Sequence, residues 1–262
     1  AQTVSLIALI ATLYARRHFL CLGWSERGYL RPDPAILRAL VFKGLPMGLQ
    51  MIVISASAML MMRLVNAYGS STVAAYGAAT QLWTYVQMPA MAVGAAVSSM
   101  VAQNVGAGRW DRVRRVARIG LGYNFLLGGV LIGLVYLGNR LALGLFLPGD
   151  SVTLALAEHL NAVVLWSFLF FGVTFVLFGV VRATGAVWPP LVMLTISTWL
   201  IRPPFAVLMA PKLGADAIWW SFPLGSVLAM LMAAAYYRWG RWRRASMLPP
   251  AAEKVPAVEP QA

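Results

Sequence analysis

LNAVVLWSFLFFGVTFVLFGVV, residues Leu160–Val181, runs for 22 positions without a charged side chain. As an α-helix it is long enough to cross the hydrocarbon core of a bilayer, which takes about 20 apolar residues. Five more stretches read the same way: Leu45–Ala67, Thr72–Ala102, Ile119–Gly138, Val187–Met209 and Gly214–Tyr237. Their lengths leave room for tilt and kinks. Six such segments in series, joined by polar loops, predict an all-α fold: a polytopic membrane helical bundle with six full transmembrane helices. Composition agrees, with 60% apolar and only 11% charged residues, where soluble domains carry roughly 25% charged.

A net charge of +13 would suit a nucleic-acid binder, but the distribution argues for a lipid bilayer and against nucleic acid. If the spans alternate in direction, 17 of the 21 Lys and Arg fall on one side. They include Arg109, Arg112, Arg114, Arg115 and Arg118 between the second and third spans, and Arg238, Arg241, Arg243 and Arg244 after the last. Only Arg63, Arg140, Arg202 and Lys212 fall on the other. The positive-inside rule puts the 17 in the cytoplasm. The expected location is the bacterial inner membrane, multi-pass, with the C-terminus cytoplasmic.

Residues 1–15 are apolar, begin without Met and end at Arg16, Arg17 and His18. A signal peptide carries its positive charge before the apolar run, so the expectation is the truncated end of a preceding transmembrane helix. Residues 16–43 read as a basic cytoplasmic linker, with a short surface helix over Pro34–Lys43. Residues 44–238 read as a six-helix lobe, and residues 239–262 as a disordered Pro- and Ala-rich tail. Cys21 is the single cysteine, which excludes an internal disulfide.

Enzyme chemistry has no material in the spans. Glu26, Asp33, Asp111, Asp150, Glu158, Asp216, Glu253 and Glu259 read as loop, tail or span-end residues, and His18 and His159 are peripheral. No catalytic site, metal site or cofactor is expected, and no acidic residue lies near the middle of a span. Ion-coupled carriers normally keep a carboxylate at the midplane, so no cation-coupling residue is expected in this chain.

Uncharged polar residues do occur within spans. Gln50 and Ser57 share a face of the first span and Gln81 and Tyr85 a face of the second. Asn124 lies in the third, and Trp166 and Thr174 share a face of the fourth. Each makes either an interhelical hydrogen bond, the commoner use, or a substrate contact. Together they predict a cavity lined by amide and aromatic groups for small amphipathic or cationic organic molecules. The small residues of the second span, among them Ala75, Gly77, Ala79 and Gly94, read as close helix packing. Pro89, Pro203, Pro204 and Pro223 interrupt spans as packing kinks or as hinges. Arg202, beside the Pro203–Pro204 break, either snorkels outward, pairs with helix carbonyls or binds an anion.

Several motifs resemble one family, the multidrug and toxic compound extrusion (MATE) transporters. FKGLPMGLQ (Phe42–Gln50) resembles the start of their seventh helix, and VAQNVGAGRWDRVRR (Val101–Arg115) the basic loop after their eighth. FGVVRATGAVWPP (Phe178–Pro190) is similar to the segment between the tenth and eleventh helices. IRPPF (Ile201–Phe205) and LGADAIWW (Leu213–Trp220) resemble patterns around the last two. The resemblance implies the C-terminal lobe of a two-lobed carrier, with the N-terminal lobe missing, that exports organic molecules by cation antiport, H+ or Na+ being the coupling ion. Positions that hold cation-binding carboxylates in the sodium-coupled branch are Ile54 and Phe171 here. The chain therefore looks closest to the DNA-damage-inducible branch, where coupling is attributed to the first helix. The alternatives are a lipid-linked oligosaccharide or polyisoprenoid flippase of the same superfamily, or an inactive fragment.

Overall fold

A computed structural model describes residues 2–16, 33–147 and 151–245. The contacts divide the chain into two units, one of Ala1–Val41 with Leu248–Ala262 and one of Phe42–Met247. In the first, α1 is an apolar helix over Gln2–Ala15, and α2 begins at Pro34. Residues 17–32, the body of the expected linker with Cys21, and 246–262, most of the expected tail, lie outside the described residues.

The described residues of the second unit form helices joined by short turns. Helix α2 runs Pro34–Asn66, α3 Ser70–Gly106 and α4 Trp110–Leu137, followed by a short α5 at Asn139–Gly144. The fourth span is α6, Ser151–Val164, a tight turn at Leu165–Ser167, and α7, Phe168–Ala183. The fifth is α8, Trp188–Thr195, a wide π-type turn over Ile196–Ile201, and α9, Arg202–Leu213. Helix α10 covers Asp216–Trp239. Six helices among the described residues are long and apolar enough to cross a membrane. The chain is a multi-pass membrane protein.

Most helices extend beyond the apolar runs that reveal them. Pro34–Lys43 forms the first turns of α2 and not a separate helix. The basic segment after α3, read as a loop, is mostly the start of α4. The fourth span starts at Ser151 and not Leu160, which brings Glu158 two turns inside a helix. Arg, Glu and Ala are good helix formers, so the backbone stays helical where hydropathy has already fallen. At the other end, Trp242–Arg244 forms an ordered turn with Trp242 buried, where disorder was expected.

Helices α3, α4 and α7 pack closest, and glycine is the reason. A Cβ on Gly179 would lie 2.7 Å from the Gly94 carbonyl oxygen, and one on Gly94 would lie 3.3 Å from that of Phe175. Backbone thus meets backbone without side chains between. The expected small-residue packing holds for Ala75, Ala79 and Gly94, which are buried. A Cβ on Gly77 would meet nothing within 4 Å. Nearer the acidic start of α10, Tyr76, Trp83, Phe168, Trp219 and Phe222 form an aromatic core. Tyr76 stacks on Trp219 at 5.8 Å, and Trp83 meets Phe222 edge-on at 5.4 Å.

Candidate functional site

The break in the fifth span follows from its sequence. Pro203 and Pro204 have no N–H, so carbonyls one turn upstream lose their helical donors. The backbone answers with the wide turn at Ile196–Ile201, and α2 answers with side chains. Ser57 Oγ donates to the Thr198 carbonyl at 3.2 Å. In a π-type turn the donor to that oxygen would be residue 203, a proline. Trp199 Nε1 donates in return to the Val53 carbonyl at 3.1 Å. Near the end of the seam, Lys43 Nζ donates to the Gly185 carbonyl at 2.8 Å.

The α2 side of this seam is a buried stripe of Pro46, Gln50, Ser57, Met61 and Val65, a helical repeat. Gln50 is 7% exposed, and its Nε2 is buried with no acceptor among the described residues. A buried donor left unmade costs about 1–3 kcal/mol.

Helix α3 presents a different surface. Gln81, Thr84, Tyr85, Met88 and Met91 share one face and are all exposed. Gln81 Nε2 donates to the Tyr85 hydroxyl at 3.4 Å. The amide, hydroxyl and phenol groups along this membrane-span face are costly against acyl chains.

The remaining predicted residues are elsewhere. Asn124, 2% exposed, donates through Nδ2 to the Ala90 carbonyl at 3.3 Å and packs against Gly172. Thr174 Oγ1 donates to the Phe170 carbonyl one turn back, at 2.9 Å. Both are engaged in helix packing. Trp166 lines an apolar recess of ≈ 510 Å³ with Phe205 and the Trp220–Val227 part of α10. The structure thus brings Gln81 and Tyr85 together, and Gln50 and Ser57 together. It does not gather all seven predicted residues into one cavity. Ile54 is exposed, and Phe171 packs on Phe175 at 4.7 Å between centroids.

Arg202 turns inward against α10. Its Cζ lies 4.8 Å over the Phe222 ring, and Nη2 donates to Ser226 Oγ at 3.5 Å. A Cβ on Gly225 would sit 2.5 Å from Arg202 Nε, so glycine there makes the room. That Nε is buried without a partner among the described residues.

A second polar network is one that sequence reasoning missed. Trp83 Nε1 donates to Asn161 Oδ1 at 2.7 Å, and Asn161 Nδ2 to Asn139 Oδ1 at 2.9 Å. Asn139 Nδ2 donates to the Glu158 carbonyl at 3.4 Å. Glu158 Oε1 is buried with no partner among the described residues. Asn161 lies inside the apolar run, but its partners Asn139 and Glu158 fall outside the spans read from hydropathy, so the network was not visible as a group. Among the described residues no His, Cys, Asp and Glu cluster could hold a metal.

Residues 46–208 match the MatE family model. The probable multidrug resistance protein YoeA of Bacillus subtilis (strain 168) is 36% identical over 244 residues, covering 91% of this chain and 52% of the relative. The probable multidrug resistance protein NorM of Pseudomonas aeruginosa is 27% identical over 258 residues, with 96% and 52% covered. Among solved structures, a MATE protein in complex with MaL6 superposes with a TM-score of 0.82 at 16% identity, over 90% of this chain and 53% of that one. The Vibrio cholerae MATE transporter VcmN in the bent form gives 0.77 at 18% identity, over 91% and 53%. The chain spans about half the length of the curated relatives it matches.

Proposed function

The chain belongs to the MatE family, and from that premise we propose that it is the C-terminal lobe of a carrier that exports organic molecules by cation antiport, with H+ as the coupling ion. The observation that carries this reading is the exposed stripe Gln81–Tyr85–Met91 on α3. Polar and thioether groups on an uncovered span face suit a cavity wall shared with a second, N-terminal lobe. Met and Tyr adapt to ligands of varied shape, and Gln supplies both donor and acceptor. The relatives' names, multidrug resistance proteins, support drugs as substrates, and the stripe suits amphipathic or cationic ones.

In this reading the broken fifth span and its seam with α2 form the hinge, with Gln50 changing partners as the lobe moves. The basic helix ends face the cytoplasm of the inner membrane, following the positive-inside rule. The titrating group lies in the other lobe, because the middles of these spans hold no carboxylate. Glu158 is the one carboxylate set well into a described span, in its outer third.

The test uses the full-length protein in energised inverted vesicles. Gln81→Ala and Tyr85→Ala are expected to change the ranking of transported dyes several-fold, while proton release per dye stays constant. Glu158→Gln is expected to leave the coupling ratio unchanged. Loss of coupling in Glu158→Gln would place the coupling carboxylate in this lobe. An unchanged dye ranking in both α3 variants would remove the stripe from the substrate path.

A further inference from the structure

The face of α4 at its basic end takes no part in the transport reading, yet it is the densest charge on the lobe. Asp111, Arg112, Arg114, Arg115 and Arg118 line a recess of ≈ 340 Å³. The one carboxylate, Asp111, lies 3.6 Å from Arg114. Arg112, Arg115 and Arg118 have no ion-pair partner among the described residues. Val113, Ala117 and Gly120 are the buried side of this helix, packed with the valines of α3 and α7, so the arginines project away from the bundle.

The helical repeat continues the Arg115–Arg118 face into Phe125 and Leu126, which are 52% and 63% exposed. At 1.5 Å per residue Phe125 lies roughly 10 Å deeper than Arg118. An apolar strip headed by guanidinium groups complements a ligand of two parts, a phosphate above and acyl chains below.

A second element reinforces the same end. Trp242 is buried, donates from Nε1 to the Tyr237 carbonyl at 2.8 Å, and offers its own carbonyl to Thr184 Oγ1 at 2.9 Å. Its ring meets Trp110 at 6.2 Å, which pins the turn Trp242–Arg244 beside the start of α4. The Arg243 Cζ stacks over Trp242 at 5.1 Å. The buried Trp242 thus holds the exposed Arg243 and Arg244 at the same end as the α4 arginines.

We infer that this face of α4 is a docking site for an anionic phospholipid, its phosphate held by Arg112, Arg115 and Arg118 and its chains lying along Phe125 and Leu126. Guanidinium binds phosphate through paired N–H donors. A free phosphate has only these exposed arginines, whereas a lipid adds the apolar strip.

The full chain, purified in neutral detergent, is titrated with fluorescent phosphatidylglycerol and with phosphatidylcholine of the same acyl chains. Phosphatidylglycerol is expected to bind at least tenfold tighter. R112Q/R115Q/R118Q is expected to weaken it by roughly fivefold per arginine removed and to weaken phosphatidylcholine, whose choline offsets its phosphate charge, far less. R115Q alone, expected to lose about fivefold, carries the test if the triple variant does not fold. R63Q/R140Q, which removes two cations elsewhere, is expected to change nothing. Undiminished phosphatidylglycerol binding in R115Q and the triple variant, or an equal loss in R63Q/R140Q, overturns the inference. Displacement of the lipid by glycerol phosphate at equal concentration also overturns it, by assigning the recess to soluble anions.

Discussion

The α3–α4–α7 contact and the seam between α2 and the fifth span hold membrane helices together by opposite means. In the first, glycines remove side chains until Gly179 meets the Gly94 carbonyl and Asn124 fits against Gly172. Contacts of that kind tolerate almost no displacement, because dispersion falls off within an ångström. In the second, the partners are single hydrogen bonds from Ser57, Trp199 and Lys43 to backbone carbonyls, beside a span already broken by two prolines. Such bonds can be exchanged one at a time. Lipid offers no hydrophobic force between membrane helices, so close packing and hydrogen bonds must each hold their own contact.

The largest effect is expected where the packing is tightest. Gly179→Val places a branched side chain against the Gly94 backbone, and no rotamer relieves a Cβ clash with a carbonyl. Overpacking of this kind costs about 3 kcal/mol, enough to lower the melting temperature in detergent by on the order of 10 °C. A melting temperature within 2 °C of the parent would show that α3 and α7 can separate, and the contrast with the seam would collapse.

Replacing Pro203 and Pro204 with Ala tests the other region. Two N–H groups return to the fifth span, and the wide turn at Ile196–Ile201 can relax to an α-helix. Two hydrogen bonds at roughly 1 kcal/mol each predict a static gain of about 2 kcal/mol, with transport slowed. A more stable protein with full transport rate would reduce the proline break to a packing kink.

Much of the fold was legible because lipid solvation makes hydropathy a direct readout of burial in the membrane. Six apolar runs became six helices, and the Pro203–Pro204 break lies where the sequence put it. The helix ends were not legible, since Arg112 to Arg118 and Glu158 are charged yet helical. The break at Leu165–Ser167 has no proline to announce it. Of the candidate site residues, the i, i+4 spacing put Gln81 and Tyr85 on one face, as found. The same kind of periodicity could not tell that Asn124 and Thr174 are used up in packing, because spacing says which residues share a face and not what covers it. Trp242 was hidden by the composition of the tail that follows it.

The smallest effect is the most discriminating, because its sign is in question. Gln50→Leu keeps side-chain volume but removes the buried Nε2 donor, which has no acceptor among the described residues. If the seam is dry in the resting state, losing an unmade donor stabilises by about 1 kcal/mol. Ser57→Ala, seven residues on along the same stripe, strips the Thr198 carbonyl of its donor and should destabilise by a similar amount. The pair therefore moves melting temperature in opposite directions although both substitutions make α2 less polar. Two losses of equal size would mean that Gln50 is satisfied by water held in the seam. In that case α2 is joined to the fifth span by solvent as well as by protein, which makes it easier still to separate from the α3–α4–α7 body.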